Sequence, residues 1–287
     1  MEGVEVKIDT EPSEVKKEEP TDTDLEQNED KVYSIWEEVP IIFVCLTIIL
    51  SYLTIIVVII FLLPLFYSTP TIIFWTIVTH VIIYLISYNY YSVHVVQSDI
   101  IPESYYRVDE ENIDESRMCQ ICKKYKADRV HHDRTTKKCI YRYDHYCGVV
   151  QNALGYHNYR YFFLFLFYVE VGLLCLDFNV AIGLYRLDIL KYVPKILLIA
   201  FILFFANFSI SIGGQVFFQA VMISLNLTTK EFVDWASQVL RERRFVPLPY
   251  YKTVLLNWKE CMQVPEDKNV LLGFLPTKPR MIEKRSL

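Results

Sequence analysis

Four apolar runs constrain this chain more than any other feature: Pro40 to Tyr67, Thr71 to Tyr88, Tyr161 to Leu184 and Ile196 to Leu225. Each is long enough to cross roughly 30 Å of hydrocarbon as a helix that rises about 1.5 Å per residue. A soluble core has no use for four such runs in 287 residues, and a hydrophobic share of 53% is too high for an ordinary globular protein. Four transmembrane helices are therefore expected, at residues 38–67, 70–91, 159–185 and 195–224. No basic patch with a short apolar core opens the chain, so the first helix is expected to act as its own insertion signal.

Charge orients the bundle. Residues 92–158 hold ten Lys and Arg, and the segment after Leu225 holds eleven. The link between the third and fourth runs has only Arg186, Lys191 and Lys195, and the link Ser68-Thr69-Pro70 has none. Cytosolic loops collect positive charge, which puts residues 92–158 and both termini in the cytosol. Residues 1–37 read as an acidic, disordered cytosolic tail, because twelve acids and only three lysines in the first thirty residues cannot bury enough surface to fold. His80, Glu170 and Asp177 fall inside apolar runs, where an ionisable group is costly. A hydrogen-bonded neutral imidazole accounts for the first, and a place facing the bundle interior or an interface accounts for the acids.

The polar island from Cys119 to Phe162 holds four of the seven cysteines and four of the six histidines. Cys119 and Cys122 form a C-x2-C knuckle, and His132 and Cys139 follow at distances that complete one tetrahedral Cys3His zinc site. A loop with little apolar residue of its own needs such a staple. A reducing compartment fits this pattern better than a disulfide framework. Just beyond comes Asp144-His145-Tyr146-Cys147, which supplies an acid, a base and a thiol within four positions. A base that takes the thiol proton, oriented by a carboxylate, makes a cysteine nucleophilic. The residues alone leave open a second zinc site built on His145 and Cys147.

This island resembles the cysteine-rich domain of the DHHC-type protein S-acyltransferases (palmitoyltransferases), membrane enzymes that usually carry it between their second and third of four spans. Cys119, Cys122, His132 and Cys139 match the ligands of the family's first zinc site, and Asp144, His145 and Cys147 match its catalytic group. Asn152, Gly155, Asn158 and Phe162 match the consensus that follows. Thr228-Thr229-Lys230-Glu231 resembles the TTxE motif after the fourth span, and Tyr250 with Asn257-Trp258 resembles an aromatic and asparagine motif beyond it. The resemblance covers roughly residues 40–276.

What the resemblance implies is an all-α integral membrane protein with a cytosolic zinc-binding domain, residues 92–158, between helices 2 and 3, and a cytosolic C-terminal region, 225–287. It implies an acyl group passed from a long-chain acyl-CoA such as palmitoyl-CoA, through Cys147, to cysteines of membrane-associated proteins. In that reading Asp144 orients His145, and Thr229 supports Asp144. Lys137, Lys138 and Arg142 are candidates for the CoA phosphates. No nucleic acid partner is expected, and the membrane is an endomembrane, Golgi or endoplasmic reticulum.

Two departures stand out. The family's second zinc site would use positions 133, 136, 146 and 153, which here are Asp133, Thr136, Tyr146 and Ala153, so one structural zinc ion is expected. Tyr146 makes the motif DHYC and spares the catalytic group, while Gly148 and Val149 stand where Pro and Trp are usual. The alternative is a catalytically silent, zinc-stapled membrane adaptor. A RING-like ligase would need a second complete metal site.

Overall fold

The computed structural model describes residues 67–98, 118–186 and 195–278, together with parts of 42–65. The acidic segment 1–37, the stretch 99–117, the link 187–194 and residues 279–287 lie outside the described residues.

Three of the described helices are long and apolar enough to cross a membrane. They are α1 (Thr69–Val95), α2 (Tyr159–Arg186) and α3 (Lys195–Leu225). Pro70 sits in the first turn of α1, where its missing amide would have lacked a partner anyway. Ile73, Phe74, Ile77, Val81 and Tyr84 of α1 remain exposed, as a lipid-facing surface requires. Its last turns differ: Asn89, Tyr90, Ser92 and Val93 are buried against protein. The helix therefore outlasts the expected 70–91 and ends inside the polar part of the molecule. Within the expected first span, residues 44–50 are helical.

α2 packs between α1 and α3. Of the ionisable residues in the apolar runs, Asp177 and His80 have hydrogen-bond partners. The Ser209 hydroxyl donates to Asp177 at 2.6 Å, and Glu170 packs over Gly213. His80 Nδ1 lies 2.7 Å from the Thr76 carbonyl, with the Tyr52 hydroxyl 3.4 Å from its other nitrogen.

The fold is mostly helical but not all-α. The described part of the island before α2 holds two antiparallel pairs, β1 (Val130–Asp133) with β2 (Lys138–Tyr141), and β3 (Tyr146–Cys147) with β4 (Asn152–Ala153). The short reach of these strands suits a domain that buries little of its own: its separate cluster is Cys119, Val130 and Cys139. The second pair instead leans on the helices, where Val150, Leu154, Tyr161 and Phe162 join Tyr90 and Val93 in one core. Gly155 lets the two pairs meet, since a Cβ there would fall 2.5 Å from Ile140 Cγ2 and 2.8 Å from the Tyr141 carbonyl.

Beyond α3 come α4 (Thr229–Glu242), α5 (Val254–Cys261) and a 3-10 turn, Val270–Phe274. α5 packs on α3. The segment after it is tied to the start of α2. Arg160, 2% exposed, donates to the carbonyls of Gly273 and Leu275 and to the Thr277 hydroxyl, while Tyr161 and Tyr168 donate to Thr277 and Phe274.

Candidate active site and metal centre

The first hairpin and the knuckle before it bring four soft donors together. Register pairs His132 with Cys139 across β1 and β2. The knuckle turns tightly through Lys123, whose φ is 53°, and returns an amide to Cys119. As a result His132 Nδ1 lies 3.3 Å from Cys122 Sγ, 3.5 Å from Cys119 Sγ and 3.8 Å from Cys139 Sγ. All four ligand atoms fall within 4.8 Å of one another. A tetrahedral zinc ion with Zn–N and Zn–S bonds near 2.0 and 2.3 Å would separate N from S by about 3.5 Å. The set fits such an ion. Burial and the neighbouring thiols push the Cys139 thiol up, a crowding of prospective negative charge that a cation relieves.

Asp144, His145 and Cys147 come from the loop that enters β3. Asp144 is 3% exposed, and its amide bonds to the Leu154 carbonyl. Its carboxylate accepts from His145 Nδ1 at 2.6 Å. A carboxylate can only accept, so the proton of that bond sits on Nδ1, and in the neutral ring Nε2 is left as the basic nitrogen. The Cys147 thiol is close enough to the same imidazole to be shifted by it. Burial works against a charged His145, yet the bonds to Asp144 and Cys147 outweigh it and carry the pKa up to about 9. Burial likewise opposes a Cys147 thiolate. His145 and the amides of Val150 and Val149 turn that balance and leave the thiol below its ordinary value.

Asp144 is gripped from its other side by the start of α4. The Thr229 amide donates to Asp144 Oδ1 at 2.5 Å, and its hydroxyl reaches Oδ2 at 3.1 Å. A helix N-terminus has free amides and a positive dipole end, both of which favour an ionised carboxylate. Thr228 and Glu231 close the capping box of this helix. Glu231 also takes a bidentate bond from Arg129 at 2.7 Å to each oxygen, and the Arg129 guanidinium stacks 4.2 Å from the Tyr250 ring. Thus one turn of helix holds the aspartate, caps itself and clamps the domain that carries the thiols.

Asn226 is the hub of that clamp. Its side-chain oxygen accepts from Arg129 at 3.2 Å and Arg142 at 2.7 Å, and its amide donates to the Tyr250 carbonyl at 2.8 Å. It sits at φ 55°, a left-handed conformation that asparagine tolerates. Neither its role nor that of Glu260 has a local signal in the chain, since the Arg142 they share lies 84 and 118 residues away.

Arg142 corrects one expectation. It is 8% exposed and spent on Asn226 and on Glu260, 3.1 Å away, so it faces the protein interior and is not a contact for a soluble phosphate. Lys137 and Lys138 are exposed, the latter 3.3 Å from the side-chain oxygen of Gln97, just past the end of α1. The structure does not bring these three cations together in one patch. A cavity of about 420 Å³ opens beside the Arg129–Glu231 pair, lined by Lys126, His131, Trp235 and Tyr250 among others, and none of the reacting groups borders it.

Asn152 and Asn158, both in the segment after Cys147, finish α1. The last carbonyls of a helix lack intrahelical partners. Asn152 Nδ2 lies 2.9, 3.1 and 3.0 Å from the carbonyls of Val93, His94 and Val96, and Asn158 Nδ2 donates to Val96 at 3.0 Å. His94 Nδ1 meets the Val150 carbonyl at 2.9 Å. The nucleophile loop is thereby stitched to the end of an apolar helix.

A family model described as DHHC palmitoyltransferase matches residues 112–236. The chain is similar to Palmitoyltransferase PFA3 of Yarrowia lipolytica, 29% identical over 185 residues, which covers 57% of this chain and 46% of that protein. It is 31% identical over 134 residues to Probable protein S-acyltransferase 15 of Arabidopsis thaliana, covering 43% of this chain and 50% of the relative. It is 37% identical over 120 residues to Palmitoyltransferase ZDHHC15 of Xenopus laevis, covering 40% of this chain and 35% of the relative. These matches span half or less of each relative's length. The family model and the relatives both support the DHHC palmitoyltransferase family.

Proposed function

We propose that this chain is a protein S-acyltransferase that carries a long-chain acyl group, palmitoyl in the first instance, from acyl-CoA to cysteines of membrane-associated proteins by way of acyl-Cys147. The observation that carries this reading is the array Thr229–Asp144–His145–Cys147, in which Thr229 and His145 both bond the buried carboxylate and the same imidazole favours the Cys147 thiolate.

In the first step His145 Nε2 takes the Cys147 proton and the thiolate attacks the acyl-CoA carbonyl. The new C–S bond to Cys147 forms as the bond to CoA sulfur breaks, and the CoA thiolate takes up the proton. In the second step His145 accepts the proton of a substrate cysteine, whose sulfur displaces Cys147 from the acyl carbon. One thioester replaces another at each step, so little driving force is needed and positioning dominates. Asp144 keeps the proton on Nδ1 and stabilises the imidazolium. The Val149 and Val150 amides, beside the sulfur, stabilise its thiolate.

One zinc ion held by Cys119, Cys122, His132 and Cys139 supplies structure and no chemistry to these steps. Loss of the second site at positions 133, 136, 146 and 153 leaves the relay intact, which makes DHYC a working variant. The reading includes four spans, at 38–67, 70–91, 159–185 and 195–224, a cytosolic domain at 92–158, and cytosolic segments at 1–37 and 225–287. It also includes an endomembrane location and a CoA contact by Lys137 and Lys138. Support comes from the three apolar helices, the matching family model and the palmitoyltransferase relatives.

Release of free CoA from palmitoyl-CoA by protein in detergent micelles tests the relay. Asp144→Asn holds the ring in the wrong tautomer and is expected to lower that rate by about 10³- to 10⁴-fold while retaining the zinc. Release at the parent rate in Asp144→Asn would remove the relay from the mechanism.

A further inference from the structure

The four positions that the resemblance assigns to a second metal ion are not idle. Asp133 ends β1, is 3% exposed, and accepts through Oδ2 from the Thr136 amide at 2.7 Å and the Thr136 hydroxyl at 2.8 Å. Positions 133 and 136 are thus joined by a carboxylate. Positions 146 and 153 are joined too, as the partners Tyr146 and Ala153 of the β3–β4 register. Tyr143 connects the two halves. Its hydroxyl donates to Asp133 Oδ1 at 2.9 Å, and from it the chain runs through Asp144 and His145 to Tyr146.

We propose that this Asp133–Tyr143 knot does the mechanical work of a second ion, and that Tyr143 is a positioning residue for the relay, setting Asp144 and His145 against Cys147. A tetrahedral ion fixes four points of the chain against one another; the knot fixes 133 and 136 directly, and reaches 146 and 153 through the short chain from Tyr143 and the β3–β4 pairing. Asp133 satisfies three donors, as a buried carboxylate must if it is to stay charged. Tyr143 is the residue before Asp144 and lies four before Cys147. Its hydroxyl therefore pins the entrance of the tetrapeptide to the end of β1, so loss of that one oxygen frees the loop without emptying any space. Thr136 and Tyr143 supply what cysteine ligands cannot: hydroxyl donors for a carboxylate. The knot and its metal counterpart are alternative solutions to one constraint, which accounts for all four ligands being absent together.

The proposal rests on the acyltransferase reading for its consequence, and on geometry alone for the knot. Its test uses the full chain in micelles, with zinc per chain, thermal midpoint and the rate of Cys147 alkylation by iodoacetamide between pH 5 and 10. The ionisable groups around that thiol are His145, Asp144 and Tyr90, and none is altered. Tyr143→Phe is expected to keep one zinc and to raise the apparent pKa of Cys147 by about one, so that alkylation at pH 7 slows about tenfold. Asp133→Asn, which turns an acceptor into a donor facing Thr136, is expected to do the same.

A quadruple variant, Asp133→Cys, Thr136→Cys, Tyr146→His and Ala153→Cys, is expected to bind a second zinc. In that background Tyr143→Phe is expected to cost less than twofold. Parent-like alkylation in Tyr143→Phe overturns the proposal, and so does loss of the zinc and the thermal transition together, which would make Tyr143 merely structural. If the alkylation shift is present while no variant or parent releases CoA from palmitoyl-CoA, the knot stands and the transferase reading falls.

Discussion

The two hairpins of the island are held by opposite means. β1–β2 converges on three thiols and an imidazole, with a cluster of only three buried apolar residues behind them. β3–β4 has no ligand set among the described residues and is fastened by hydrogen bonds, from Asn152 to the last carbonyls of α1, between His94 of α1 and the Val150 carbonyl, and from Thr229 to the Asp144 carboxylate. The first hairpin carries a ligand set that a cation would hold together. The second depends on helices that are stable for other reasons. The proposed relay on the second hairpin is joined to the first at two places, the Tyr143–Asp133 hydrogen bond and the Arg129–Glu231 pair, which ties the foot of β1 to α4.

Removing the metal should break this comparison most visibly. Structural zinc in small domains is worth about 10 kcal/mol or more of folding free energy. Chelation is expected to open residues 118–141 to hydrogen exchange while the amides of α1 and α2 stay protected. Protection lost evenly across both hairpins would show that the second is not independently fastened.

A smaller effect reverses the direction. Asn152→Ala strips donors from the last carbonyls of α1, and leaving such groups unpaired costs about 1–3 kcal/mol. The thermal midpoint should fall and exchange should rise at residues 93–98 and 146–154, with zinc content unchanged. Zinc loss in this variant would contradict the separation.

The smallest effect is that of pH. Burial lowers the His145 pKa but the Asp144 and Cys147 bonds raise it further, to about 9 against an ordinary 6.5. Stability from its protonated form is therefore complete below about pH 6.5 and lost as pH rises through about 9. Cys147, depressed from its ordinary 9, contributes in the opposite sense, present at high pH and lost as pH falls through its folded value. The two shifts share one interaction, so the ion pair is populated between them. His145→Gln should flatten the melting temperature between pH 7 and 10 relative to the parent; an unchanged slope would place the titration elsewhere.

How much of this could be read from residues alone follows from the range of each interaction. The apolar helices were legible because an unbroken run of Ile, Leu and Phe needs no partner to declare itself. Cys119, Cys122, His132 and Cys139 were legible because a knuckle and a hairpin bring ligands together by short spacing. The strands were not, since two residues such as Tyr146 and Cys147 are too few to show a period of two. Arg142 was misjudged because closeness in sequence to Cys147 suggested a shared ligand, whereas its partner Glu260 lies 118 residues on. Arg129 and Asn226 carry no local mark: each is an ordinary polar residue until the chain folds back on it.

The central claim is that Cys147 accepts an acyl chain. The direct measurement is mass spectrometry of purified protein incubated with palmitoyl-CoA, before and after hydroxylamine, with Cys147→Ala and His145→Ala alongside. The account predicts a hydroxylamine-sensitive palmitoyl adduct on Cys147 that is absent in Cys147→Ala and strongly reduced in His145→Ala. A folded, zinc-loaded protein that never acquires that adduct would contradict it.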